Sequence, residues 1–359
     1  MTGQTAWLES LSPWPEEFGL GRMHALLAEL GEPQRAYDAI HVVGTNGKST
    51  ATRRAAAFLQ REGLRVGAYT SPHVSGWSER IQVDGEDAEI EAALERVRPA
   101  AERLGATQFE VLTAAALTEF AAAGVDVAVV EAGLGGRLDA TNVLEARIVV
   151  LTNVSLGDHI GILGDTRDEI AREKLAVVSA GATVVLGEPE WDELARANGA
   201  AKVLVDDNVA RIAAAELLGR EPAGDVAVRV PGRLEFVGAD VYAGAHNPAG
   251  IAWLLERLPR SDYVVCAAVL ADKDARGVVS RLASAGRAFV ATETRTERSL
   301  TADALADLAR EFFPVVESVP DAVAAVDRAH ELAGPDGAIL VTGSLYLLRD
   351  LYGRLDPVR

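Results

Sequence analysis

The segment His41-Val-Val-Gly-Thr-Asn-Gly-Lys-Ser-Thr50 constrains the chain most. An apolar β-type run passes into a glycine-bearing turn, and a lysine and two hydroxyls then open a helix. Such a turn aims backbone N–H groups at an anion, and the helix dipole favours negative charge at the same point. Gly44, Thr45, Asn46 and Gly47 would cradle phosphates. Lys48 would reach the β- and γ-phosphates, and Ser49 or Thr50 would hold Mg²⁺. The usual P-loop has a glycine five residues before Gly47, where this chain has Val42.

The rest of the chain repeats the alternation that this segment begins. Apolar β-type runs are predicted at Ala39–Val43, Arg65–Tyr69, Val127–Glu131, Arg147–Thr152, Thr183–Leu186, Tyr263–Val269, Ala288–Thr292 and Ala338–Val341. Helical patterns fall between them, for example at Phe109–Ala122, Thr166–Leu175, Ala249–Leu258, Ala302–Phe312 and Asp321–Leu332. Alternation of this kind predicts parallel sheets covered on both faces. Ligands then bind beyond the carboxyl ends of the strands. Lys48, Ser71-Pro-His73, Glu131 and the stretch from Asn153 to His159 each follow such a run. A chain of 359 residues exceeds one typical core, so two domains are expected. Arg220-Glu-Pro-Ala-Gly-Asp225 reads as a linker. The expected division is 1–225, an ATP-binding domain with N-terminal helices, and 226–359, a smaller Rossmann-like α/β domain.

Composition excludes several functions. The net charge of −18 argues against non-specific nucleic-acid binding and means that anionic substrates must be held by local devices. A single cysteine, Cys266, excludes an intramolecular disulfide and a cysteine-based zinc site. No apolar run is long enough to span a bilayer, and the N-terminus carries no signal-peptide pattern. A cytoplasmic protein without membrane or nucleic-acid partners is the resulting expectation.

The collected motifs resemble the folylpolyglutamate synthase and dihydrofolate synthase family of the Mur ligase superfamily. Trp7–Leu11 and Phe18–Met23 resemble the family's opening helices. Gly44-Thr-Asn-Gly-Lys48, Thr70-Ser-Pro-His73, Glu79-Arg-Ile81 and Phe109–Thr113 follow in order. Glu131-Ala-Gly-Leu-Gly-Gly-Arg-Leu-Asp-Ala-Thr-Asn-Val143 and the region from Asp158-His159 to Lys174 are the most specific. Pro231-Gly-Arg233, Gly244-Ala-His-Asn-Pro248, Leu270–Asp274 and Val341–Tyr346 extend the match.

The resemblance implies an ATP- and Mg²⁺-dependent monomeric ligase. It would join a folate or dihydropteroate carboxylate to L-glutamate through an acyl phosphate. Ser71 and Glu131 would hold a first Mg²⁺. A glutamate directly after Val127-Ala-Val-Val130 is costly without a partner, which agrees. His159 and Lys174 would serve a second Mg²⁺, with Lys174 carbamylated. Lys48, His159, Lys174 and His246 are the expected catalytic residues. Arg233 and His246 would contact phosphates on domain closure, and Asn208 would face adenine. The loop Val74–Arg80 would contribute to the folate pocket, where Trp77 would either stack on the pterin or plug the loop. Ser49 replaces the family's usual glycine, and Ala243 its usual aspartate. Two rivals keep the fold: a Mur-type ligase for another carboxylate and amine, or a nucleotide-binding homologue with impaired catalysis.

Overall fold

The computed structural model describes residues 3–156 and 162–352. They fall into two compact units, one ending at Val228 and the other starting at Arg229.

The first unit is built on a sheet of eight strands among the described residues: β1 (Asp38–Val43), β2 (Val66–Tyr69), β3 (Ile81–Val83), β4 (Glu86–Asp87), β5 (Val127–Glu131), β6 (Ile148–Leu151), β7 (Thr183–Leu186) and β8 (Lys202–Val205). Their order is β4-β3-β2-β5-β1-β6-β7-β8. From β2 to β8 every pairing is parallel, whereas β3 and β4 add an antiparallel edge. The alternation of strands and helices predicts parallel pairing alone. Gln82, Val83, Glu86 and Asp87 keep partial or full exposure, so this edge lacks the apolar run that marks a doubly covered strand.

Side chains alternate across the central strands. In β1, Ile40 and Val42 pack towards the helix Lys48–Arg61, while Ala39 and Val43 join the core on the opposite face. Helix Gln108–Ala123 covers that second face. Its start is fixed by a capping box between Thr107 and Glu110, and its end by Gly124 at φ 65°. The same alternation sends Glu131 to the face of Val127 and Val129, where Lys48–Arg61 begins.

Residues 220–225 are anchored instead of acting as a free linker. Ala223 N–H donates to Glu62 at 2.6 Å, and Arg211 donates to the carbonyls of Pro222 and Gly224 at 2.8 and 2.6 Å. Arg61 donates to the Asp225 carbonyl at 2.8 Å. The Pro and Gly pattern marked an irregular segment, but its backbone is held by long arginines that local sequence cannot place.

The second unit carries β9 (Glu235–Val237), β10 (Asp240–Tyr242), β11 (Val264–Ala267), β12 (Ala288–Ala291), β13 (Val315–Ser318) and β14 (Ile339–Thr342), ordered β13-β12-β11-β14-β10-β9. Among the described residues, only β9 is an antiparallel strand of this sheet. Cys266 is fully buried in β11, and burial pushes its thiol up to about 12, so it is inert. Among the described residues, no helix is long and apolar enough to cross a membrane.

Candidate active site

The turn after β1 is clamped from the loop after β6. Asn153 accepts from the N–H groups of Thr45, through its carbonyl at 2.9 Å, and of Asn46, through its side chain at 3.0 Å. Thr152 and Asn153 side chains both donate to the Asn46 carbonyl, at 2.7 and 3.0 Å. Ser155 N–H donates to the Thr45 hydroxyl at 3.1 Å. Gly44 sits at φ 149°, and a Cβ there would collide with the Thr152 side chain. Glycine is therefore required both by the conformation and by the close approach. The helix begins at Lys48, so its first N–H groups, which lack intrahelical acceptors, open onto this turn.

Glu131 lies at the centre of the site and is 1% exposed. Its Oε1 accepts from the Ser49 hydroxyl at 3.2 Å, and its Oε2 accepts from the Ser71 N–H at 3.1 Å. Residues from three strand ends thus converge: Ser49 beyond β1, Ser71 beyond β2 and Glu131 at the end of β5. Two hydroxyls and a carboxylate are hard oxygen donors, which suits Mg²⁺. His159 lies outside the described residues.

Lys174 is also 1% exposed, and its Nζ donates to the Gly44 carbonyl at 2.8 Å. A solvated helix lysine is thereby ruled out. The helix Arg167–Leu175 presents Ile170, Ala171, Lys174 and Leu175 on its buried face. Thr166 caps that helix in a box with Glu169. Gly136 lets the loop after β5 approach, since a Cβ there would lie 2.6 Å from the Lys174 carbonyl and 2.7 Å from that of Glu173.

Asn208 caps the helix Val209–Leu218, its side-chain oxygen accepting from Arg211 N–H at 3.4 Å. In the second unit, Arg233 N–H donates to Val230 at 3.0 Å, and His246 Nδ1 lies 2.8 Å from the Gly244 carbonyl. Ala243 is buried in the core of that unit.

Beside Ser71 opens a cleft of about 410 Å³. Trp14, Phe18, Phe109, Leu138, Ile162 and Leu163 form its apolar walls, and Arg80, Glu110, Asp139 and Glu173 supply charge. Trp14 and Phe18 are half exposed, with ring centroids 6.2 Å apart. Phe18 belongs to the segment between the helices Gln4–Ser10 and Gly21–Glu29, not to either helix. The expected contribution of Val74–Arg80 reduces to Arg80. Glu79 closes the loop on itself by accepting from the Val74 and Ser75 N–H groups at 2.8 and 2.7 Å. Trp77 does not line the cleft. Its ring meets His73 edge-on at 4.4 Å, and its N–H donates to Glu9 at 3.0 Å.

Sequence reasoning missed Trp14, Phe18 and Asp139 as wall residues. The signal available was the scarcity of aromatics, 5% of the chain, two of which fall within Trp14–Phe18. Asp139 is buried. Its Oδ2 accepts from Leu134 N–H at 2.7 Å, and its Oδ1 accepts from the Thr141 N–H at 3.0 Å and hydroxyl at 2.5 Å. Burial pushes its carboxyl above the usual range, while the Leu134 and Thr141 donors and the Lys48 cation pull it down.

His41 lies behind Thr141, with Nε2 2.8 Å from the hydroxyl, and burial pulls its ring down to about 4. The unfolded chain therefore binds the proton more readily. The stability held by neutral His41 is complete above its ordinary 6.5 and is lost as pH falls towards 4. The shift is worth on the order of 3 kcal/mol. Denaturant unfolding at pH 7 and pH 4.5 should show a smaller acid loss for His41→Leu than for the wild type. Equal losses would contradict the assignment.

The model of the Mur ligase middle domain matches residues 42–195, and that of the Mur ligase glutamate ligase domain matches 232–345. A dihydrofolate synthase/folylpolyglutamate synthase of Bacillus subtilis is 31% identical, over 98% of both chains. A probable bifunctional folylpolyglutamate synthase/dihydropteroate synthase of Haloferax volcanii is 32% identical over 92% of this chain, which spans 48% of that relative's length. A Mycobacterium tuberculosis folylpolyglutamate synthase, solved with ADP and AMPPCP, superimposes with TM-score 0.89 at 29% identity, covering 99% of this chain and 98% of its own. A bifunctional folylpolyglutamate synthase/dihydrofolate synthase with Mn, AMPPNP and L-glutamate bound gives 0.87 at 26% identity, with 99% of each chain covered. The fold and the paired domains define a Mur-type ligase, and the chain belongs to the folylpolyglutamate synthase/dihydrofolate synthase family within that superfamily.

Proposed function

We propose that the protein is an ATP-dependent ligase that adds L-glutamate to a folate or dihydropteroate carboxylate. The observation that carries this reading is that Ser71 both lines the aromatic cleft and donates to Glu131 beside the phosphate turn. An acceptor whose ring lies in the cleft would thus bring its carboxylate towards the transferable phosphate. The volume suits a small ligand, and the walls suit a flat heteroaromatic ring. Asp139 would accept an N–H of the pterin.

A carboxylate is a poor electrophile because oxide leaves badly. Its oxygen attacks the γ-phosphorus of ATP, and ADP departs. The glutamate amine then attacks the acyl carbon, and inorganic phosphate leaves with the amine proton passing to solvent or a base. Lys48 neutralises phosphate charge along this path, and the N–H groups of the turn position the phosphates. Ser71 and Glu131, with Ser49 beside them, would hold Mg²⁺, and His159 and Lys174 a second ion. Bound Mg²⁺ supplies charge neutralisation and orientation of phosphate oxygens. Asn208, Arg233 and His246 are assigned to the nucleotide from the motifs alone. Action as a monomer in the cytoplasm completes the reading.

The test is ADP release with dihydropteroate or tetrahydrofolate plus L-glutamate, set against a muramyl-peptide precursor with its own amino acid. Turnover with a folate-type acceptor, and only with L-glutamate present, is expected. Turnover with the muramyl precursor alone would replace the acceptor and leave the ligase reading standing. ATP binding without acceptor-dependent turnover would favour the impaired homologue, for which Ala243 is the motivation.

Lys174 is proposed to carry a carbamate, formed from a neutral amine and CO₂ with loss of a proton. The product keeps one N–H for the Gly44 carbonyl and adds two oxygens that share one negative charge. Lys174→Ala should lower activity about tenfold or more, with partial recovery in short carboxylates. Undiminished wild-type activity after bicarbonate removal, with no recovery of the variant, would refute the carbamate.

A further inference from the structure

Beneath the cleft, a buried chain of hydrogen bonds joins His41 to Asp139 through Thr141. Its direction follows from one proton. The Thr141 hydroxyl has a single hydrogen, so it donates either to Asp139 or to His41. In the first arrangement Oδ1 of Asp139 carries no proton and accepts from Thr141, and His41 donates its Nε2–H to Thr141. In the second, a protonated Asp139 donates to Thr141, Thr141 donates to Nε2, and the ring proton moves to Nδ1. Nδ1 is buried and, among the described residues, has no hydrogen-bond partner. An orphaned N–H is rarer in folded proteins than an under-used acceptor. The first arrangement therefore holds. It also satisfies the N–H groups of Leu134 and Thr141, which both require acceptor oxygens.

A carboxylate offers about four acceptor places. Two on Oδ1 are taken by Thr141, and one on Oδ2 by Leu134. The place left on Oδ2 belongs to a residue of the cleft wall.

We propose that His41 is a positioning residue for substrate selection: as a one-way donor to Thr141, it keeps Asp139 an acceptor that prefers a ring bearing an N–H donor. The ligand class is a 2-amino-4-oxo pteridine, favoured over the same ring without its amino group. The inference rests on the reading of the cleft as the pterin site. His41 acts through 0%-exposed Thr141 and touches no substrate.

The experiment measures KM for an amino and a desamino acceptor, with KM for ATP as the internal reference. His41→Leu should reduce the preference for the amino acceptor about tenfold and leave the ATP value within about twofold. His41→Gln, which supplies an amide N–H, should restore most of the preference. A folded His41→Leu with unchanged preference would overturn the proposal. Thr141→Val breaks the same chain and is judged by the same criterion. Nitrogen-15 NMR of the wild-type ring gives a reading that needs no variant. The Nε2–H tautomer is expected, and an Nδ1–H tautomer would overturn the direction. Asp139→Asn separates the two claims. If it leaves the preference intact, the cleft reading fails and this inference with it. If it abolishes the preference while His41→Leu does not, only the role of His41 falls.

Discussion

Lys48→Ala should retain the fold and lose about 10²-fold or more of turnover. Lys48 is the first residue of the helix Lys48–Arg61 and packs its amine against the turn, 3.4 Å from the Thr45 carbonyl. The turn itself is held by Thr152, Asn153 and Ser155, so removing the lysine leaves the backbone clamp in place. The charge it would place on the phosphates has no replacement within the turn. Circular dichroism and the thermal midpoint should stay near the wild type while kcat collapses. A folded variant with near-normal kcat would remove the phosphate-site assignment.

Glu131→Gln should produce a loss of similar size, about 10²-fold or more in kcat, together with a higher Mg²⁺ requirement. The two carboxylate oxygens accept from two different donors, the Ser49 hydroxyl and the Ser71 N–H. Glutamine fills the same volume but offers one acceptor oxygen. Its NH₂ must then face either an N–H or a hydroxyl, and an anionic oxygen ligand is gone. Titrating activity with Mg²⁺ distinguishes this from general damage. The midpoint should rise while the acceptor KM changes little. An unchanged Mg²⁺ midpoint and kcat would show that Glu131 is a structural bridge only.

The legible part of this protein is what two-sided burial writes into the sequence. Strands β1, β2, β5, β6 and β7 are buried almost throughout, and each falls within a residue or two of its predicted run. The edge strands β4, β8, β9 and β13, with β3 and β10 beside two of them, were not predicted: the edges and β3 are partly or fully exposed, and β10 is only three residues long. At the candidate site, Lys48, Ser71 and Glu131 stood out in sequence because Glu131 ends an apolar run and Lys48 and Ser71 each follow one. The pairs that orient them were not. His41 and Thr141 are separated by 100 positions, Asn46 and Asn153 by 107, and Lys174 and Gly44 by 130. Local pattern carries no information at such separations. His41 was visible only as one residue of a motif, and its role depends on a threonine brought to it by β5 and the loop that follows. Trp77 shows the converse: it stood out in sequence, yet the hydrogen bonds within its own loop turn it away from the cleft.

The most direct test of the central claim follows the oxygen of the acceptor carboxylate. Dihydropteroate or tetrahydrofolate labelled with ¹⁸O in its reacting carboxyl group is turned over with ATP and L-glutamate, and the released phosphate is analysed by mass spectrometry. An acyl phosphate requires one labelled oxygen to leave with each phosphate, and amide product to form in equal amount. Phosphate that emerges unlabelled while amide accumulates would contradict the account.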